Sequence, residues 1–206
     1  IGMGGNFVCS LNVNELHAKV VVKLYVNKHV SGENNQTTRC HSEAAEAVMF
    51  TLLHLKSIAP NLLGVFDGGI VVDFIQGRNL MHKDFQNLKL IEAFGRKLAM
   101  FHSIKMPIRK TPAFIPLMLS NYSRSKIEKK FCHLPDKQQL IIAKMNNFPS
   151  MSELQWVLHI ANKISMKVFS HNDLWLMNAM IKDEGENLFE KLYIIDYESC
   201  DYNYRG

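Results

Sequence analysis

Val168-Phe-Ser-His-Asn-Asp-Leu-Trp-Leu-Met-Asn178 and Leu192-Tyr-Ile-Ile-Asp-Tyr-Glu198 decide how this chain is read. Each sets a lone acid beside a short apolar stretch of strand character. In the first, Asp173 is followed five positions later by Asn178, and His171 stands two positions ahead of the Asp. In the second, Asp196 arrives behind Leu-Tyr-Ile-Ile. Singly these features are common. Together and in this order they fit phosphoryl transfer. A loop Asp takes the proton of an attacking hydroxyl, an Asn of the same loop holds magnesium, and a second Asp after a later strand holds magnesium against ATP phosphates.

Working outward, the periodicities divide the chain. Residues 6–13 and 19–26 read as strands, the second through Lys19-Val-Val-Val-Lys-Leu-Tyr-Val26. A polar loop is expected over 27–41. A helix is expected over 42–56, with Ser42 as N-cap and Ala45, Val48, Met49, Leu52 and Leu53 on its apolar face. Strands over 62–66 and 69–75 flank the turn signal Asp67-Gly-Gly69. Beyond Phe74 the pattern turns helical. A helix over 85–104 presents Leu88, Ile91, Phe94, Leu98 and Phe101, and further helices are expected over 115–131, 136–147 and 152–164. The fold class is therefore α+β. A strand-rich part spans 1–75, and a mostly helical part, 76–206, holds both acid-bearing segments. This is the two-lobe plan of kinase-like folds.

The composition sets outer limits. At 47% hydrophobic and 21% charged, the chain has an ordinary globular balance. No apolar run reaches the ~18–20 residues of a membrane span. Ile1-Gly-Met-Gly-Gly5 lacks a basic-then-apolar leader. Cys9, Cys40, Cys132 and Cys200 form no Cys-x-x-Cys pair, which argues against zinc or redox sites and fits a cytoplasmic protein. The net charge is +5, yet residues 182–201 hold seven acids and two bases. A basic body suits an anionic ligand such as ATP, and the acidic stretch suits a metal ion or a cationic substrate. The basic residues lie in scattered pairs without interleaved aromatics, which excludes nucleic acid as the expected partner.

Ser170-His-Asn-Asp-Leu174 with its Asn178, then Ile195-Asp-Tyr-Glu198, then Tyr202-Asn-Tyr-Arg-Gly206, resemble the choline/ethanolamine kinase family. Upstream, Glu46-Ala-Val-Met-Phe50, Phe74-Ile75, Phe101-His102 and Lys105-Met-Pro107 extend the resemblance over nearly the whole chain. The resemblance implies a protein-kinase-like two-lobe fold, with residues 1–75 as nucleotide-binding N-lobe. Residues 76–206 would form a C-lobe that is incomplete at its C-terminal end. It implies ATP-dependent phosphorylation of a small amino alcohol, choline or ethanolamine, with Mg2+ as cofactor. A homodimer is a further expectation. Two other readings stand beside it: a kinase-like enzyme acting on another small hydroxyl compound, and a catalytically silent nucleotide-binding or dimerising relative.

The implied site follows residue by residue. Asp173 is the general base, and His171 supports its loop. Asn178 and Asp196 hold magnesium. Lys23 reaches the α and β phosphates and is pinned by Glu46, with Lys19 and Glu43 as the weaker pair. Gly4 and Gly5 belong to a glycine cluster whose backbone can approach phosphate oxygens closely. Asp73 and Ile75 offer backbone to the adenine edge. Trp175 and Met177 depart from the family's usual Gln and Gly. Trp175 is expected as a packing substitution or as a cation–π surface for a quaternary ammonium. Met177 puts the geometry of the metal loop in question.

Overall fold

The computed structural model of the protein describes residues 5–13, 16–25, 41–116 and 151–205. β1 (Gly5–Val13) and β2 (Leu16–Leu24) form an antiparallel hairpin, with Gly5 opposite Leu24 and Asn6 opposite Lys23. β2 pairs with β4 (Gly69–Asp73), and β4 with β3 (Leu62–Phe66), so the sheet runs β1-β2-β4-β3. Asp67 and Gly68 alone connect β3 to β4, because Phe66 faces Gly69 across the ladder. A two-residue hairpin needs positive φ in its loop, and Gly68 supplies it at 84°.

α1 (Glu43–His54) starts where Ser42 caps it, the Ser42 hydroxyl accepting from the Ala45 amide at 3.3 Å. Its buried stripe is Glu46, Met49, Phe50 and Leu53, the i, i+3, i+4, i+7 spacing of one helical face. Ala45 and Leu52 pack at the margin of the core as expected. Val48 does not; it is 47% exposed, because the helix is rotated to bring Glu46 inward.

The expected helix over 85–104 is two elements. A 3-10 turn spans His82–Gln86, and α2 spans Leu88–Ser103. Asn87 separates them: its backbone is extended, and its side-chain oxygen accepts from the amides of Lys89 and Leu90. A residue so placed caps a new helix. The buried face of α2 is Leu90, Ala93, Lys97 and Phe101, leaving Leu88 79% exposed. α3 (Met151–Ile164) lies close to its expected span. The expected loop at 27–41, apart from His41, and the helices at 115–131 and 136–147, apart from 115–116, lie outside the described residues.

Five short strands complete the described chain. β5 (Gly77–Asn79), β7 (Ala179–Lys182) and β8 (Leu192–Ile194) form one antiparallel sheet. β6 (Lys167–Ser170) and β9 (Asp201–Tyr204) form another, and the single-turn α4 (Leu188–Lys191) precedes β8. One core joins the two ends of the chain. Met49, Phe50, Leu53, Ile58 and Ile70 pack in the same cluster as Phe101, Phe169, Ile194 and Tyr197. Phe101 stacks on Phe169 at 4.9 Å between centroids, and Phe50 meets Tyr197 edge-on at 4.7 Å. Each such ring contributes roughly 1.5–3 kcal/mol by leaving water. This core brings α1 against the segment that leads to Asp196.

Candidate active site

Lys23 is the hub. It lies on β2, and its Nζ donates to Glu46 Oε1 of α1 and to Asp196 Oδ1, both at 2.9 Å. Lys23 and Glu46 are buried, while the Asp196 side chain is 34% exposed. Burial opposes the charged form of Lys23. The attraction of Glu46 and Asp196 and their hydrogen bonds outweigh it and hold the ammonium above the ordinary lysine range. Lys19 does not share this cluster; its Nζ lies over the Phe74 ring at 5.6 Å.

The catalytic-type loop lies between β6 and β7. His171 is buried; its Nε2 donates to the Ile195 carbonyl at 2.8 Å and its Nδ1 accepts from the Asp173 amide at 3.3 Å. These two contacts call for the proton on Nε2. Burial is the largest influence on the ring and pushes its pKa down, despite the Ile195 carbonyl and the charges of Asp196 and Asp173. A neutral His171 is thus a fixed strut for the loop. Asp173 is exposed.

Asn178 closes a 3-10 turn, Leu176–Asn178, and is buried. Its Nδ2 donates to the Asp173 carbonyl at 2.8 Å and to Asp173 Oδ2 at 3.2 Å. Its amide hydrogens therefore face Asp173, leaving Oδ1 as the oxygen it can offer to a cation. The Ile195 amide donates to the Asn178 carbonyl at 2.9 Å. Ile195, the residue before Asp196, thus holds both His171 and Asn178. Asn172 and Asp196 hold positive φ, 63° and 67°. Such backbone is sparsely populated by non-glycine residues and clusters at functional sites.

An amide oxygen and a carboxylate fit magnesium, which takes one or two protein oxygens and completes its shell with phosphates and water. No group of three or more His, Cys, Asp or Glu side chains suited to a metal occurs among the described residues.

The other expected residues fall around this cluster. Gly5 begins β1 opposite Leu24, beside Lys23, and Gly4 lies outside the described residues. Asp73 ends β4, its amide donating to the Asn61 carbonyl at 2.9 Å. Asp73 and Ile75 line a groove together with Lys19, Phe74, Lys182 and Tyr193. Trp175 is 59% exposed, so it is not a core packing substitution; Met177 is 49% exposed. Met177 leaves the loop closed, because Asn79 Nδ2 of β5 donates to its carbonyl at 2.6 Å.

The family model for choline/ethanolamine kinase matches residues 4–206. The chain belongs to the choline/ethanolamine kinase family. It is 30% identical over 218 residues to mouse choline kinase alpha, covering 97% of this chain and 48% of that protein. It is 33% identical over 202 residues to a probable ethanolamine kinase of Arabidopsis thaliana, covering 94% and 51%. The chain spans about half the length of these curated relatives. Among solved structures, Plasmodium vivax ethanolamine kinase superposes with a TM-score of 0.67 at 21% identity, covering 96% of this chain and 54% of that one. Cryptosporidium parvum choline kinase superposes with a TM-score of 0.56 at 18% identity, covering 97% and 60%. The fold is the α+β kinase-like one.

Several contacts of this family member escaped the sequence. Asn203, in the Asn-Tyr-Arg-Gly segment, donates from Nδ2 to Asn172 Oδ1 at 2.8 Å, and Asn172 Nδ2 donates to the Ser199 carbonyl at 3.0 Å. Tyr202 donates from its hydroxyl to the Met106 carbonyl at 3.2 Å, so the tail also holds the Lys-Met-Pro segment. His41, next to the cap of α1, sets Nε2 3.5 Å from Asp201 Oδ1. The family resemblance of these segments was visible, but their contact with each other was not.

Proposed function

We propose that this chain carries the nucleotide and base machinery of an ATP-dependent phosphotransferase that phosphorylates choline or ethanolamine. That product enters phosphatidylcholine or phosphatidylethanolamine synthesis. The observation that carries the reading is the stitching at Ile195. One residue's backbone binds the loop of Asp173 and Asn178 to Asp196, and Asp196 meets the Lys23–Glu46 pair. In this reading residues 1–75 form the nucleotide-binding lobe and 76–206 the lobe of the base and metal ligands.

The Asp173 carboxylate accepts the proton of the substrate hydroxyl as its oxygen attacks the γ-phosphorus. The bond from that phosphorus to the bridging oxygen breaks, and ADP leaves. The proton then passes from Asp173 to solvent. His171 keeps Asp173 in place, and Asn178 orients it through Oδ2. Magnesium, when bound, would be held by Asn178 and Asp196 and would neutralise charge on the phosphates. Lys23, set by Glu46, faces the α and β phosphates. Gly5, at the start of β1, offers backbone to them, and Asp73 and Ile75 present backbone to adenine. The protein makes no covalent bond to the substrate; positioning and charge supply the rate.

The exposed Trp175 and the acidic segment near Asp196 suit a cationic amino group. The proposal includes a homodimer and a cytoplasmic location. No helix among the described residues is long and apolar enough to cross a membrane. The test is a substrate panel on the full protein with ATP consumption as readout. Turnover is expected with choline or ethanolamine. Magnesium-dependent ATP binding without turnover on either would refute the activity.

A further inference from the structure

Lys97 interrupts the apolar stripe of α2. It sits between Ala93 and Phe101 on the buried face and is 0% exposed. Among the described residues no carboxylate forms an ion pair with it. Its Nζ donates to the Ser57 carbonyl at 2.6 Å. The same Nζ stands 4.2 Å from the Phe189 ring centroid and 6.0 Å from that of Tyr193. Burial lowers its pKa to about 8, with Glu190 acting in the opposite sense. A buried ammonium that, among the described residues, bonds one carbonyl and faces two rings with no ion pair is costly. An apolar side chain would satisfy α2 better, so the reason for Lys97 lies in what it holds.

What it holds is the turn between α1 and β3. Ser57 has φ 54°, a strained value for a side-chain-bearing residue. The turn is tied to α1 because the Lys56, Ile58 and Ala59 amides all donate to the Leu53 carbonyl. It is tied to β8 because the Ile58 carbonyl accepts from the Ile194 amide at 3.1 Å. Ser57 and Ile58 therefore join α1, which carries Glu46, to β8, which leads to Asp196. Lys97 anchors that junction to α2.

We infer that Lys97 is a positioning residue: its bond to the Ser57 carbonyl locks the α1–β3 turn against α2 and β8, and so sets Glu46 and Asp196 around Lys23. The catalytic half of this inference rests on the phosphotransferase reading; the mechanical half does not.

Lys97→Met in the full protein tests both, since Met keeps the length and apolar stem. Amide hydrogen exchange is read at Ile58 and Ile194, with Ile91, whose amide bonds the Asn87 carbonyl at the start of α2, as internal control. Exchange at Ile58 and Ile194 is expected to rise roughly tenfold or more while Ile91 is unchanged, as a local opening requires. In the activity assay kcat is expected to fall by ~10–100-fold and the ATP KM to rise, with the amino-alcohol KM unchanged. Wild-type exchange at Ile58 and Ile194 would overturn the inference, as would an equal rise at Ile91. If the wild-type protein shows no turnover, the phosphotransferase reading fails, and the exchange data alone decide the role of Lys97.

Discussion

Lys23 bridges two acids of different exposure, and this difference predicts unequal coupling. At 2.9 Å, unit charges attract by about 6 kcal/mol at an effective dielectric of ~20, and by about 1.4 kcal/mol in bulk water. The Glu46 side chain is 4% exposed, so the Lys23–Glu46 pair lies near the first limit. Desolvation of both groups offsets part of that attraction. Asp196, at 34% exposed, shares its field with water and lies nearer the second limit. Double-mutant cycles with Lys23→Met, Glu46→Gln and Asp196→Asn should therefore give about 3 kcal/mol for Lys23–Glu46 and about 1 kcal/mol for Lys23–Asp196. The assay is equilibrium urea unfolding of the nucleotide-free full protein, by two probes whose transitions coincide. In kinetics the same Lys23–Glu46 cycle should be non-additive, the double variant losing less than the sum of the singles. A Lys23–Glu46 coupling below about 0.5 kcal/mol would refute the reasoning, and so would one smaller than that of Asp196.

Asp173→Asn should retain magnesium-ATP binding and lose ~10²–10⁴-fold in kcat, because the base goes and the shape stays; near-normal kcat would remove Asp173 from that role. Asp196→Ala should weaken magnesium-dependent ATP binding more than Asn178→Ala, the first deleting a charged oxygen and the second a neutral one; titrations with and without magnesium read this directly. Asp84 provides a pH test. The Arg78 guanidinium, bonded to it at 2.6 and 2.8 Å, holds its pKa at about 2, despite the opposing effect of burial. Its folded pKa lies below its unfolded one, so its stabilising contribution is present above the ordinary carboxylate range and is lost as pH falls from about 4 toward 2. Asp84→Asn should flatten that part of the stability–pH curve measured by thermal unfolding.

The residues of the candidate site stood out because their types are local in sequence. His171, Asp173 and Asn178 occupy one loop, and the strand before Asp196 announces itself through Leu-Tyr-Ile-Ile. The hairpin at Asp67-Gly68 and the cap at Ser42 were equally plain, since turn and cap chemistry depend on residues a few positions apart. The split between the 3-10 turn and α2 was harder, because Asn87 interrupts a pattern that is apolar on both sides.

What only the tertiary structure decided is which way each helix faces. Apolar periodicity turns Val48 inward and leaves Lys97 outside, and the folded chain does the reverse, while the Lys23–Glu46 pair that the resemblance implied is present. Glu46 is drawn in by a lysine 23 positions away, and that lysine's other partner lies 173 positions away. Lys97 finds its acceptor 40 positions away, in a turn whose carbonyl no side-chain pattern reveals. Hydrophobic burial is non-directional and leaves its record in residue type, so sequence reports it. A buried charge or hydrogen bond is favourable only when a particular remote atom lies at the right distance, and that distance exists only once the core has closed.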